Sequence, residues 1–203
     1  MNLNNPIMTE GPALGGGTRW WPDESWKHAL LIDFGRRFLI NVFLETGTFE
    51  GDTPAAVKDH FGEVYSIELS PKYHAQSAAR FASDRRVHIL LGSSSEILPE
   101  VIKGIRTPGP ILFYLDAHVH TGGGDSDQVP AELVAIDRYR PESLVVIDDV
   151  SPRPEGGGYR VATRQVNYNV NLPAGWEVKF LSGLLIAHKG IYSIPEGIYV
   201  ARS

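Results

Sequence analysis

Three aspartates that follow strongly apolar runs carry the first chemical signal in this chain. Asp116 comes directly after Ile111-Leu112-Phe113-Tyr114-Leu115, and the pair Asp148-Asp149 comes after Leu144-Val145-Val146-Ile147. If the two runs are adjacent strands, their ends bring three carboxylates together, and like charges so placed are unfavourable unless something cationic sits among them. A divalent ion such as Mg2+ is the expected occupant, with Asp116, Asp148 and Asp149 as metal ligands and with positions left for waters and a substrate oxygen. The plainer alternative is that Asp148 or Asp149 caps the next segment while Asp116 faces a cationic ligand directly. His118 and His120 form a His-x-His pair just beyond Asp116. No third imidazole lies nearby and the chain has no cysteine, so the pair reads as candidate general bases rather than as zinc ligands.

A second constellation lies earlier. Residues 45–53 read Glu45-Thr46-Gly47-Thr48-Phe49-Glu50-Gly51-Asp52-Thr53, a turn whose glycines let backbone approach a ligand and whose following helix offers free N–H groups. It lacks the third glycine of a GxGxxG fingerprint, and helix–strand packing alone can demand two. Glu68, twenty-one positions beyond Gly47, stands where an acidic side chain accepts both ribose hydroxyls of an adenosine moiety. Further on, Gly92-Ser93-Ser94-Ser95-Glu96 fits a capping box between Ser93 and Glu96, with the Ser94 and Ser95 hydroxyls open to a purine edge.

The adenosine can belong to ATP, NAD or S-adenosyl-L-methionine, and the loop separates them. There is no Gly-x-x-x-x-Gly-Lys-[Ser/Thr] motif and no Lys or Arg in the loop to meet a triphosphate. Glu45, Glu50 and Asp52 repel a pyrophosphate but suit a ligand bearing a sulfonium and an ammonium group, which favours S-adenosyl-L-methionine.

Positioning these residues requires a particular set of elements. Apolar runs at 41–44, 64–67, 87–91, 111–115 and 144–147 alternate with helical signals at 54–57, 73–81, 94–103 and 129–139. Continuous apolar strands are buried on both faces, so the expected fold is α/β: a doubly wound, mostly parallel, Rossmann-like sheet with right-handed crossovers, binding ligands at the carboxyl ends of its strands. Segments 176–181, 184–188 and 197–200 are too close for crossovers and predict an antiparallel C-terminal edge. Residues 1–40 form a Gly/Pro-rich opening followed by an aromatic-basic stretch, with Asp23 as N-cap and apolar Trp26, Leu30, Ile32 and Phe34 predicting a covering helix or two; residues 41–203 form the binding domain.

Composition bounds the function. The 203 residues carry 42% hydrophobic and 21% charged residues, a globular balance that excludes disordered and fibrous chains. A net charge of −5 argues against nucleic acid as partner, and no apolar stretch is long enough to span a bilayer. Met1 to Pro6 do not read as a secretory signal, so a cytoplasmic protein is expected. Trp20, Trp21, Trp26 and Tyr159, with Gly156-Gly157-Gly158, either wall an acceptor pocket or serve as core or homodimer interface.

Taken together, Glu45-x-Gly47-x-Phe49-x-Gly51-x-Thr53, Glu68-Leu69-Ser70-Pro71-Lys72-Tyr73, Leu91-Gly92-Ser93-Ser94-Ser95-Glu96-Ile97-Leu98-Pro99, Leu115-Asp116 and Asp148-Asp149 resemble, in order and spacing, the cation-dependent O-methyltransferases of the catechol and caffeoyl-CoA type, within the class I S-adenosylmethionine-dependent methyltransferases. The likeness covers about residues 41–152. It implies that Gly47 and Thr53 line the methionine end, that Glu68 and Leu69 hold the ribose, and that Gly92, Ser94 and Ser95 surround the adenine. Glu45, Thr48, Phe49, Gly51, Ser93 and Asp116 complete the donor-binding set, and Asp116, Asp148 and Asp149 hold Mg2+. Two departures stand out: Asp149 occupies a position where that family commonly has Asn, and Val119 replaces the family's lysine base, leaving Asp116, His118 and His120 as catalytic candidates. The expected activity is methyl transfer to a small hydroxylated acceptor, with an NAD- or nucleotide-sugar-binding oxidoreductase or a non-catalytic S-adenosylmethionine-binding protein as alternatives. The chain has no Tyr-x-x-x-Lys pair, which weighs against the oxidoreductase.

Overall fold

The computed structural model describes residues 25–117, 128–153, 157–162, 167–181, 183–190 and 192. Along the chain these form α1 (Ser25–Arg37), β1 (Val42–Thr46), α2 (Asp52–Val57), β2 (Glu63–Glu68), α3 (Pro71–Arg80), β3 (Val87–Leu91), α4 (Ser94–Gly104), β4 (Ile111–Leu115), α5 (Gln128–Tyr139) and β5 (Leu144–Ile147). Short strands follow: β6 (Val150–Pro152), β7 (Tyr159–Ala162), β8 (Asn167–Val170), β9 (Glu177–Leu181) and β10 (Leu184–His188).

The main sheet has seven strands in the order β3-β2-β1-β4-β5-β10-β9. The pairs among β1 to β5 are parallel, and β10 pairs antiparallel with both β5 and β9. Two reversals return β9 to the common direction, so the expected antiparallel pairings form while the reversed strand sits one place in from the edge. The predicted segment 197–200 lies outside the described residues. A second sheet, β6-β7-β8, fills the connection from β5 towards β9, and its short strands gave no clear period in the sequence.

Every residue of β1 and β4 is buried, and period-two geometry divides their side chains between two cores. Val42, Leu44, Ile111, Phe113 and Leu115 face α4 and α5, where Leu98, Ile102, Leu133 and Ile136 meet them. Phe43, Leu112 and Tyr114 face the opposite layer with Leu30, Leu31 and Phe34 of α1 and Val57 of α2. Each fully buried Leu or Phe contributes roughly 1.5–3 kcal/mol through the area it removes from water.

Helix α1 forms because Leu30, Leu31 and Phe34 repeat at helical spacing, and Arg36 and Arg37 in its last turn complement the helix dipole. It seats closely: a Cβ on Gly35 would lie 2.5 Å from Phe61 Cζ, so only glycine lets that ring press against the helix. Trp26 packs on the same core, and Tyr159 stacks on Phe180 with centroids 5.7 Å apart in the other, so both are packing residues; Trp20, Trp21, Asp23 and Gly156 lie outside the described residues. Among the described residues no helix is long and apolar enough to cross a membrane.

Candidate active site

The loop after β1 is held by hydrogen bonds from three sides. Gly47 adopts φ 92°, and a Cβ there would lie 2.5 Å from the Asp116 carbonyl oxygen, so a side chain cannot fit between the loop and the end of β4. The Phe49 N–H donates to Glu68 Oε2 at 2.8 Å, and the Phe49 carbonyl accepts from Ser77 Oγ at 2.8 Å. Pinned at both ends, Phe49 takes φ 49°, a costly conformation for an aromatic residue, and presents a half-exposed ring 4.5 Å from that of Tyr73. Gly51 closes the turn by donating to the Thr48 carbonyl, and Thr53 lies partly exposed in the first turn of α2.

The three acids of this loop separate. Glu45 is buried and accepts from Ser66 Oγ at 2.6 Å, with Thr48 Oγ1 hydrogen-bonded to the same serine. Glu50 and Asp52 are exposed, and Asp52 pairs with Arg80 at 2.7 Å. The expectation that all three frame a cationic ligand is corrected: of the three, Glu45 alone is buried, while Glu50 and Asp52 are exposed and Arg80 of α3 takes the Asp52 carboxylate and the Glu50 carbonyl.

Glu68 is buried at the end of β2, where one oxygen accepts from Phe49 N–H and the other from Ser70 N–H at 2.7 Å. Each carboxylate oxygen keeps one lone-pair site, so two hydroxyls can still be accepted while the backbone bonds persist. Leu69 beside it is half-exposed, an apolar surface at the strand end. The capping box is corrected: Ser93 is the N-cap of α4 by backbone position, but its side chain makes no capping bond. Instead Gln128, at the start of α5, accepts from the Ser95 N–H at 2.9 Å and from Ser93 Oγ at 3.1 Å, and Ser94 Oγ lies 3.5 Å away. An amide from another helix thus satisfies one orphan donor of α4 and gathers the serines beside Gly92.

The strand ends of β1, β4 and β5 carry the charged centre. By period two, Glu45, Tyr114, Asp116 and Asp148 fall on the face covered by α1, and the ladder continues past the strands through Asp116 N–H to the Thr46 carbonyl and Asp148 N–H to the Leu115 carbonyl. Lys27 belongs to the same face of α1 as Leu31 and Phe34, and its ammonium reaches Asp148 Oδ2 at 2.5 Å with both side chains almost buried. The Tyr114 hydroxyl donates to that same oxygen, and the Asp149 N–H donates to Asp148 Oδ1 at 2.7 Å. Asp149 takes φ 53°, the left-handed region. Burial, then the charges of Asp116 and Asp148, pushes the Tyr114 phenol well up, so it remains a donor. The Asp116 carboxyl is also pushed well up, by burial first and then by Asp148, with Lys27 opposing and Asp149 and Glu45 adding to the rise.

Behind the loop, Glu132 of α5 is fully buried with neither carboxylate oxygen hydrogen-bonded, and Thr46 Oγ1 nearby is equally unpartnered. Burial raises its pKa from 4.5 to about 7, tempered by the Ser94 and Thr46 hydroxyls, which lie close without hydrogen-bond geometry. Lys27, Tyr114, Gln128 and Glu132 were not among the residues read from the sequence. For Lys27 the sequence shows only that it shares a helical stripe with Leu31 and Phe34; its partner across the sheet is set by how α1 is seated.

The strand ends thus offer a tight glycine loop, an acid with two remaining acceptor sites, an exposed apolar residue beside it and a buried carboxylate. The metal expectation meets a different donor set. Three of the four lone-pair sites of Asp148 are taken by Lys27, Tyr114 and the backbone, and among the described residues no group of three His, Asp or Glu side chains is gathered for a metal ion. As arranged, the carboxylates do not fit Mg2+. His118 and His120 lie outside the described residues.

No protein-family model and no curated protein matches the sequence. Solved structures do. The chain superposes on a putative methyltransferase from Escherichia coli (TM-score 0.54, 12% identity, covering 82% of this chain and 86% of that one). It likewise superposes on an amino pentose methyltransferase of calicheamicin biosynthesis from Micromonospora echinaspora, bound to S-adenosylmethionine (TM-score 0.52, 16% identity, 83% and 92%). A third match is an O-methyltransferase of tomaymycin synthesis from Streptomyces achromogenes, in complex with S-adenosylmethionine (TM-score 0.51, 20% identity, 63% and 57%). The chain spans 52–58% of the length of that protein and of three other methyltransferases. At these identities the finding is one of fold: the chain has the Rossmann-like architecture of class I methyltransferases.

Proposed function

We propose that this chain is an S-adenosylmethionine-dependent methyltransferase acting on the oxygen of a small hydroxylated acceptor. The observation that carries the reading is the joint held by Glu68, whose two oxygens fix the loop after β1 and the start of α3 while each keeps one acceptor site, the number a vicinal diol requires. In this reading Gly47, Thr48, Phe49, Gly51 and Thr53 hold the methionine end, Glu68 and Leu69 the ribose, and Gly92, Ser93, Ser94 and Ser95 the adenine. Glu45 and Asp116 supply negative potential near the sulfonium.

Bound S-adenosylmethionine supplies a methyl group whose carbon–sulfur bond breaks as the new carbon–oxygen bond forms in line. The protein's task is to align the acceptor oxygen, exclude water and receive the hydroxyl proton. We assign the proton to Asp116, His118 or His120, the catalytic candidates that follow β4 in the sequence; a carboxyl pushed up as Asp116 is accepts a proton nearer neutral pH than an ordinary aspartate does. Divalent-metal assistance is the finer form of this reading, and the donor set, with Asp148 engaged by Lys27, Tyr114 and the backbone, does not fit Mg2+.

The test is transfer of labelled methyl from S-adenosylmethionine to panels of phenols, sugars and hydroxy acids by the full chain. Label in an acceptor, abolished by excess S-adenosylhomocysteine, supports the reading. Donor binding with no transfer to any class of acceptor points to the binding-protein alternative.

A further inference from the structure

We propose that the Lys27 ammonium is the built-in cation of this site, standing among the strand-end carboxylates where a divalent metal would otherwise be required. The inference rests on the methyltransferase reading for its functional meaning, but its geometry stands independently. Glu45, Asp116 and Asp148 are brought to one face at the ends of three neighbouring strands, and an uncompensated cluster of this kind would hold its protons or break up the packing. The chain answers with a charge delivered from a segment remote in sequence: Lys27 lies 2.5 Å from Asp148 Oδ2, with side chains 12% and 4% exposed.

Three details make the ammonium a replacement rather than a companion of a metal. Its stem is anchored by a helix whose next turns, Leu30, Leu31 and Phe34, are buried, so the charge cannot swing away without lifting α1 from the sheet. The oxygen it contacts also accepts from Tyr114, and the other oxygen accepts from Asp149 N–H, which leaves Asp148 poorly placed to offer an inner-sphere lone pair. A dication beside a fixed ammonium in a nearly dry site would meet direct repulsion, and Mg2+ in particular demands a regular shell of oxygens. Lys27 therefore acts as a positioning residue. It holds the Asp148 carboxylate in place, and it offsets the negative potential that would otherwise bear on the acceptor's developing oxyanion.

The experiment follows the solution EPR signal of Mn2+ during titration of the full chain, its Lys27→Ala variant and the Lys27→Ala/Asp148→Asn double variant, with S-adenosylhomocysteine binding measured by calorimetry on the same samples. The wild-type chain should leave the signal unchanged, Lys27→Ala should draw down one Mn2+ per chain, and the added Asp148→Asn should release it. Stoichiometric Mn2+ binding by the wild type overturns the proposal, and so does a folded Lys27→Ala that gains none. If Lys27→Ala does not fold, Lys27→Met preserves the apolar stem and is read by the same criterion. Failure of S-adenosylhomocysteine to bind any of the folded proteins strikes the methyltransferase reading instead, and leaves the Mn2+ comparison to be judged separately.

Discussion

The donor-side loop and the strand-end charge centre are both built from residues that follow apolar strands, yet they are closed over very different sequence distances. The loop is fixed by contacts that reach 19 residues to Glu68, 28 to Ser77 and 30 to Arg80. The charge centre is closed across 121 residues, by Lys27 on Asp148. The first kind of site is dictated by the spacing of adjacent βα units and stands or falls with them. The second depends on a covering helix being seated correctly, so its electrostatics follow from tertiary packing and not from any local motif.

That contrast predicts unequal sensitivity to mutation. Lys27→Ala leaves a buried carboxylate without its counter-ion and should cost about 3–5 kcal/mol of stability, measured by denaturant unfolding. A loss below about 1 kcal/mol would mean that the pair is solvated and that the two regions do not differ in this way.

Glu132 gives the next largest effect. A carboxyl with a folded pKa of about 7 against an ordinary 4.5 binds its proton more tightly in the folded state, so the native protein holds the excess proton between those values. Stability is then fully present below pH 4.5 and declines as pH rises through 7, by about 3 kcal/mol from this group, with Asp116 adding in the same direction. Glu132→Gln should flatten the decline in a series of unfolding curves across that window, and an unchanged slope would show that the group is not buried as described.

At the small end, Arg80→Ala removes an exposed ion pair with Asp52 and a bond to the Glu50 carbonyl on the outer side of the loop. It should change stability by less than about 1 kcal/mol, and less again at high salt. A larger loss would assign the loop's rigidity to its rim rather than to Glu68 and Ser77.

How much of this was legible in the sequence follows the same division. The five parallel strands, their helices and the placing of Glu45, Gly47, Glu68 and Gly92 at strand ends could be read because a buried βαβ unit has both a hydrophobic period and a nearly fixed length. The helix-capping role of Gln128 could not, since the apparent partner Glu96 lies in sequence where a capping box would put it and nothing local favours an amide 33 residues away. Nor could the β6-β7-β8 sheet, whose strands are three or four residues long, too short for their apolar positions to establish a period against the interspersed Pro, Arg and Asn. The convergence of Asp116 and Asp148 was readable from their strands, but the identity of the compensating cation was not. Carboxylates after parallel strands call for positive charge, and only the seat of α1 on Phe61 and Phe43 determines that a lysine provides it. The steric role of Gly47 was also broader than its spacing implied: with φ 92° and the Asp116 carbonyl 2.5 Å from any Cβ, a side chain there strains the fold itself.

The central claim, that the loop and Glu68 form the binding site of an adenosine-bearing sulfonium donor, is tested most directly by calorimetric titration of S-adenosylhomocysteine and, in parallel, of NAD+ into the wild-type chain and its Glu68→Ala variant. The account predicts one S-adenosylhomocysteine per wild-type chain, no heat from NAD+, and a loss of about 1.5–3 kcal/mol of affinity in Glu68→Ala as two charge-assisted hydrogen bonds disappear. Binding of NAD+ in preference to S-adenosylhomocysteine, or unaltered S-adenosylhomocysteine affinity in a folded Glu68→Ala protein, would contradict it.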